Sequence, residues 1–134
     1  MNTIKAFMVG IFFPTLIIPF VLLILKCYGF QNVIYLIFVH FIPIIWGVWN
    51  VLYFWVCRRF LPEGEMAGSI LTGGSLGLLL ALIAIFWFDV PAMFEMEGVV
   101  RYPPLIIAPI LYAIVWVLVV TPLNKALGIQ RAGS

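Results

Sequence analysis

Few side chains in this sequence can do chemistry, and they are scattered. His40 is the only histidine. It stands inside an apolar run, where an ionisable group is a functional candidate because lipid penalises it. A single histidine cannot ligate both faces of a haem, so a b-type haem held by two histidines of one chain is excluded. Asn50 lies deeper in the same run. At 100° per residue the two side chains are about 80° apart around a helix axis, with Pro43, Gly47 and Phe54 between or beside them. This reads as one modestly polar face turned inward. It serves either a helix–helix hydrogen bond or the lining of a pathway for a small substrate or ion. Pro14 and Pro19 interrupt the first apolar run, and each removes a backbone donor. The result is either a bent span or a broken helix that binds something at the break.

The remaining candidates sit together in one connection, residues 89–103. Asp89, Glu95, Glu97 and Arg101 are its charges. Paired carboxylates can work as acid and base, but no nucleophile–base pair accompanies them. Met93 and Met96 offer two thioethers suited to Cu(I), without a cysteine or histidine motif beside them. The run Gly73-Gly74-Ser75-Leu76-Gly77 has the glycines of a phosphate cradle. It has no following Lys-Ser or Lys-Thr, and it lies within an apolar span. No cofactor and no metal site is expected.

The elements that must position these residues are legible from hydropathy. The chain has 134 residues, of which 66% are hydrophobic and 9% charged, and a mean hydropathy of +1.24. A soluble domain carries roughly 25% charged residues, so this chain lacks the polar surface to cover itself in water. About 20 apolar residues cross a bilayer core. Four runs qualify: residues 6–25, 33–57, 68–88 and 105–123. They leave no room for a separate soluble domain. The expected fold is an all-α bundle of four transmembrane helices forming one integral membrane domain. The first run is too long for a signal peptide, and Lys26-Cys27-Tyr28 is a poor cleavage site. No convincing internal repeat is visible, although each half consists of two hydrophobic helices.

The third run has ordered small residues. Ser69, Gly73, Gly77 and Ala81 recur at every fourth position, and Ala84 lies close to the same face. On a helix they form a groove that lets another backbone approach closely. The neighbour could be this chain, a second copy or a lipid tail. Trp55 and Trp87 suit membrane interfaces, whereas Trp46 and Trp49 read as packing groups.

Charge position gives an orientation. With four spans, Lys5, Arg58, Arg59, Lys125 and Arg131 share one side, and Lys26 and Arg101 the other. The positive-inside rule then places both termini in the cytoplasm and residues 89–103 outside. Cys27 and Cys57 fall at opposite membrane faces, too far apart for a disulfide. A net charge of +2 without a basic stripe gives no reason to expect nucleic acid.

The features of known small four-helix families are missing. Multidrug transporters of this size carry a glutamate in the first helix, and residues 6–25 contain no acid. The expectation is therefore a non-enzymatic multi-pass protein of a bacterial inner membrane. It would act through helix packing, as an accessory or assembly subunit in a homo-oligomer or beside other membrane subunits. The alternative is a small transporter or channel with its pathway near His40, Asn50, Pro14 and Pro19. A weaker one is an enzyme on lipids at the outer surface.

Overall fold

Backbone polar groups in lipid must be satisfied within their own segment, and helices do this. The computed structural model describes residues 2–55 and 65–129, and those residues form helices and turns without strands. α1 spans Asn2–Cys27 and α2 Gln31–Ile34; α3 spans Ile37–Trp55. α4 spans Glu65–Leu82 and continues as a π-helical stretch, Ile83–Trp87. α5 is the short helix Val90–Met93, followed by a 3₁₀ turn at Gly98–Arg101. α6 spans Pro104–Val115, passes through a second π-helical stretch at Trp116–Val120, and continues as α7, Thr121–Ala126. Four of these stretches are long and apolar enough to cross a membrane: Asn2–Cys27, Ile37–Trp55, Glu65–Trp87 and Gly98–Ala126.

Three expectations about the elements change. α1 runs unbroken through both Pro14 and Pro19, so neither proline opens a break in it. The second run is not one helix from residue 33. It stops after Ile34 and restarts at Ile37, which shortens the helix of that run. The fourth run does not end at Leu123, because α7 carries the helix on to Ala126. Residues 56–64, with Cys57, Arg58 and Arg59, and the tail residue Arg131 lie outside the described residues. The cysteine separation and part of the charge asymmetry go with them.

Two glycines set where α1 and α7 stop. Gly29 (φ 87°) and Gly128 (φ 69°) take the left-handed conformation that only glycine adopts freely. At α1, Gly29 N–H donates to the Lys26 carbonyl and Phe30 N–H to the Leu25 carbonyl. At α7, Gly128 N–H donates to Lys125 and Ile129 N–H to Asn124. Both ends are Schellman caps, in which the residue after the glycine turns back on the bundle. Ile129 is buried accordingly, and Phe30 packs on Phe94 with ring centroids 4.9 Å apart.

Packing follows the glycines. α1 and α3 form one antiparallel hairpin, and α4 and α6 form a second. A Cβ placed on Gly10 would lie 2.6 Å from the Trp46 carbonyl oxygen and 2.7 Å from Gly47 Cα. A Cβ on Gly73 would lie 2.5 Å from the Tyr112 carbonyl oxygen and 2.9 Å from Ala113 Cα. These are the same contact made twice. The third neighbour matches too: Asn50 Cβ in the first hairpin, Trp116 Cβ in the second. The buried set of α1, Ala6, Val9, Gly10 and Pro14, recurs at the same spacing in α4 as Ser69, Thr72, Gly73 and Gly77. The molecule is therefore two like-oriented helical hairpins, an internal repeat that the sequence reading missed. Trp46 and Tyr112, equivalent by this correspondence, meet each other with ring centroids 5.0 Å apart. Residues beside a two-fold axis along the bundle would do this, as in parallel-repeat membrane folds.

Candidate functional site

Each hairpin is held by close backbone approach, whereas the seam between the hairpins is made of side chains. The small-residue face of α4 is spent inside its own hairpin. Ser69, Gly73, Gly77 and Ala81 are buried and Ala84 half-buried. Gly77 is as tight as Gly73, with a Cβ there 2.6 Å from the Ala108 carbonyl oxygen. The close neighbour is the fourth span of this same chain.

The seam has a polar end and an aromatic middle. Asn50 is fully buried and Asn124 is 4% exposed. Their amides are reciprocal. Asn50 Nδ2 donates to Asn124 Oδ1 at 3.0 Å, and Asn124 Nδ2 donates to Asn50 Oδ1 at 3.1 Å. Asn50 Nδ2 uses its other hydrogen on the Ala6 carbonyl oxygen at 2.7 Å. One asparagine thus ties α1, α3 and α7 together. Nearby, within the second hairpin, Ser69 Oγ donates to the Glu65 carbonyl oxygen at 2.8 Å. A hydroxyl has one proton, so in the 2.7 Å contact between Ser69 Oγ and Thr121 Oγ1 the donor is Thr121. Trp49 Nε1 crosses the seam to the Thr72 carbonyl oxygen at 3.0 Å. At the end of the bundle, Lys125 Nζ pairs with Glu65 Oε2 at 2.8 Å.

Above this polar end the aromatics close the seam. Trp46 stacks on Phe13 of its own hairpin at 5.9 Å and crosses the seam to Trp116 at 5.5 Å. Towards the other end Phe38 stacks on Phe88 at 5.1 Å. The π-helical stretch at Trp116–Val120 changes the register just before Thr121 and Asn124. Such stretches are insertions that re-aim a helix face. Here the helix buries Trp116, Val120 and Asn124 in turn.

The residues singled out by chemistry are not brought together. His40 is exposed, in the first turn of α3. Its Nε2 bonds the Ile34 carbonyl oxygen at 2.8 Å, across the gap between α2 and α3. A carbonyl only accepts, so Nε2 carries the proton. Asn50 faces the other half of the molecule, so the joint His40–Asn50 face does not form. Pro14 is buried and Pro19 is exposed. In the connection, Arg101 pairs with Asp89, which takes a left-handed backbone (φ 49°) to turn out of the third span. Glu95 and Glu97 are exposed, and neither joins that pair. Among the described residues no three histidine, cysteine, aspartate or glutamate side chains gather as a metal site would require.

Sequence reasoning missed Asn124, Thr121, Thr72 and Tyr112. One signal was available. A buried asparagine needs partners for its amide, and the spans hold few polar side chains to supply them. Asn124 lies one residue past the fourth apolar run, 105–123, where hydropathy gives it no place in the bundle. Comparison of the chain with protein-family models, curated proteins and solved structures finds no match.

Proposed function

We propose that this chain is a non-enzymatic multi-pass protein of a bacterial inner membrane, with both termini cytoplasmic, that works as an accessory or assembly subunit through helix packing. One observation supports this above others. The amides and hydroxyls inside the bundle are engaged within it, Asn50 with Asn124 and the Ala6 carbonyl and Ser69 with Thr121, as is Trp49 with the Thr72 carbonyl, while the indole N–H groups of Trp46 and Trp116 are buried without a partner. Groups engaged in this way hold helices together and present nothing to a substrate. The surface available to partners is apolar. Mild extraction followed by identification of co-purifying subunits tests the reading. Stoichiometric recovery of other membrane subunits, or of a homo-oligomer without flux activity, is the expected result. A chain that purifies alone as a monomer from its native membrane defeats it.

The repeat favours a second reading. Like-oriented repeats that meet through side chains can rock against each other, and transporters use this motion. In that case the pathway is the seam at Asn50, Asn124 and Trp46, and His40 has no part in it. Flux in reconstituted vesicles that Asn124→Ala changes and His40→Ala does not would favour transport.

A further inference from the structure

The two hairpins differ in the outer valley between their helices. In the first hairpin a ring fills it. Phe7 lies so close to Gly47 that a Cβ there would come within 2.6 Å of its Cε2. The equivalent of Phe7 is Ile70 and that of Gly47 is Ala113. There the valley is open, a groove of about 410 Å³ with apolar walls, formed by Met66 and Ile70 of α4 and Ile110, Ile114 and Leu118 of the fourth span. That volume lies within the range of ligand-sized pockets, about 300–1,000 Å³. The ridge Met66, Ile70 continues at the next four-residue step with Gly74, which has no side chain. A Cβ on Gly74 would meet only the Pro109 carbonyl oxygen, at 3.7 Å. The groove is thus long in the direction of the helices and lined with hydrocarbon.

The groove itself holds no charge, but an ion pair stands next in the chain to its lining residue Met66. Glu65 precedes Met66 in α4, and its carboxylate pairs with Lys125 while both side chains remain about half exposed, 49% and 56%. Neither group is saturated by the other, because an ammonium has three donors and a carboxylate about four acceptor sites. The pair sits at the first turn of the third span and the last of the fourth, which is headgroup depth for a helix that crosses a bilayer.

We propose that this groove is a phospholipid site: one acyl chain lies along Met66, Ile70 and Ile114, and a phosphatidylethanolamine headgroup meets the Glu65–Lys125 pair. The complementarity is in the charges. The lipid phosphate accepts from Lys125, and its primary ammonium donates to Glu65, so each protein charge gains a second partner of opposite sign. A choline headgroup has no N–H to donate, and a glycerol headgroup has no cation for Glu65. The site does not depend on the accessory reading, since it needs no other subunit.

Native mass spectrometry of the full chain in detergent, titrated with phosphatidylethanolamine, phosphatidylglycerol and phosphatidylcholine of identical acyl composition, tests it. One phosphatidylethanolamine per chain should be retained about tenfold better than either other lipid, the scale of one charge-assisted hydrogen bond gained. Gly74→Leu fills the groove without a backbone clash and should remove that retention while the helical circular dichroism is unchanged. Ile114→Trp, at an exposed position, provides the same block should Gly74→Leu fold poorly. Glu65→Gln should turn the preference towards phosphatidylglycerol, because Lys125 is then an unopposed cation. Equal retention of the three lipids, retention that survives both blocking variants, or a second copy of the chain crosslinking through Ile70 in place of lipid would each overturn the proposal.

Discussion

Asn50 is the residue on which the halves depend most. Its amide bridges three helices, and its partner Asn124 is equally enclosed. An interhelical hydrogen bond in a membrane protein averages only about 0.6 kcal/mol in double-mutant cycles. Leaving a buried amide unsatisfied costs more, about 1–3 kcal/mol. Asn50→Ala and Asn124→Ala should therefore each lower stability by about 1–3 kcal/mol. The double variant should cost clearly less than the sum, because neither amide is then orphaned. Reversible unfolding in mixed micelles measures this; full additivity would mean the amides are not coupled. His40 belongs to a different class. Exposed, and bonded to a carbonyl at the gap between α2 and α3, it holds a local turn. His40→Ala should speed amide exchange around residues 34–37 and leave global unfolding within about 0.5 kcal/mol of the parent, as surface substitutions usually do.

At the scale of the element, glycine spacing governs which helices pair. The sequence made the third span legible because four small residues recur there at a fixed interval. The first hairpin uses the same contact with only Gly10 on α1 and Gly47 on α3, and a lone glycine in an apolar helix carries no periodic signal. Yet a Cβ on Gly10 is as crowded as one on Gly73. Gly10→Leu should therefore be as damaging as Gly73→Leu, both abolishing the folded monodisperse species in size-exclusion chromatography. Gly74→Leu, one position along, should be tolerated. If Gly10→Leu behaves like Gly74→Leu, the two hairpins are not equivalent. The repeat itself was partly readable. Pro43-Ile44-Ile45-Trp46-Gly47 and Pro109-Ile110-Leu111-Tyr112-Ala113 share proline, aliphatics, an aromatic and a small residue in order. Composition hid the match, since in a chain this apolar aliphatic identity carries little information, and only backbone contact shows which positions correspond.

For the whole molecule, the four apolar stretches were legible because lipid imposes a length and forbids open backbone. What the stretches do to each other was not. Which polar group finds which depends on register, and the π-helical stretch at Trp116–Val120 shifts register just before Thr121 and Asn124 without a sequence signal. The resulting division has a consequence for assembly. Contacts within a hairpin are backbone-close, whereas contacts between hairpins are reached by side chains: the Asn50–Asn124 amides, the Trp49 indole on the Thr72 carbonyl, and the ring of Trp46 against those of Tyr112 and Trp116. Each hairpin should then insert and fold by itself, with the seam forming afterwards, as in two-stage membrane folding. Residues 1–60 and 61–134, co-expressed as separate chains, should co-purify as a stoichiometric pair. Asn50→Ala in the first fragment should reduce recovery of the second, because the fragments lack the covalent link that masks a weak seam in the intact chain. Gly73→Leu in the second fragment should instead remove that fragment altogether, by destroying its hairpin before the seam can form. Fragments that never associate, or a Gly73→Leu fragment that still pairs, would place the folding unit at the whole bundle and not at the hairpin.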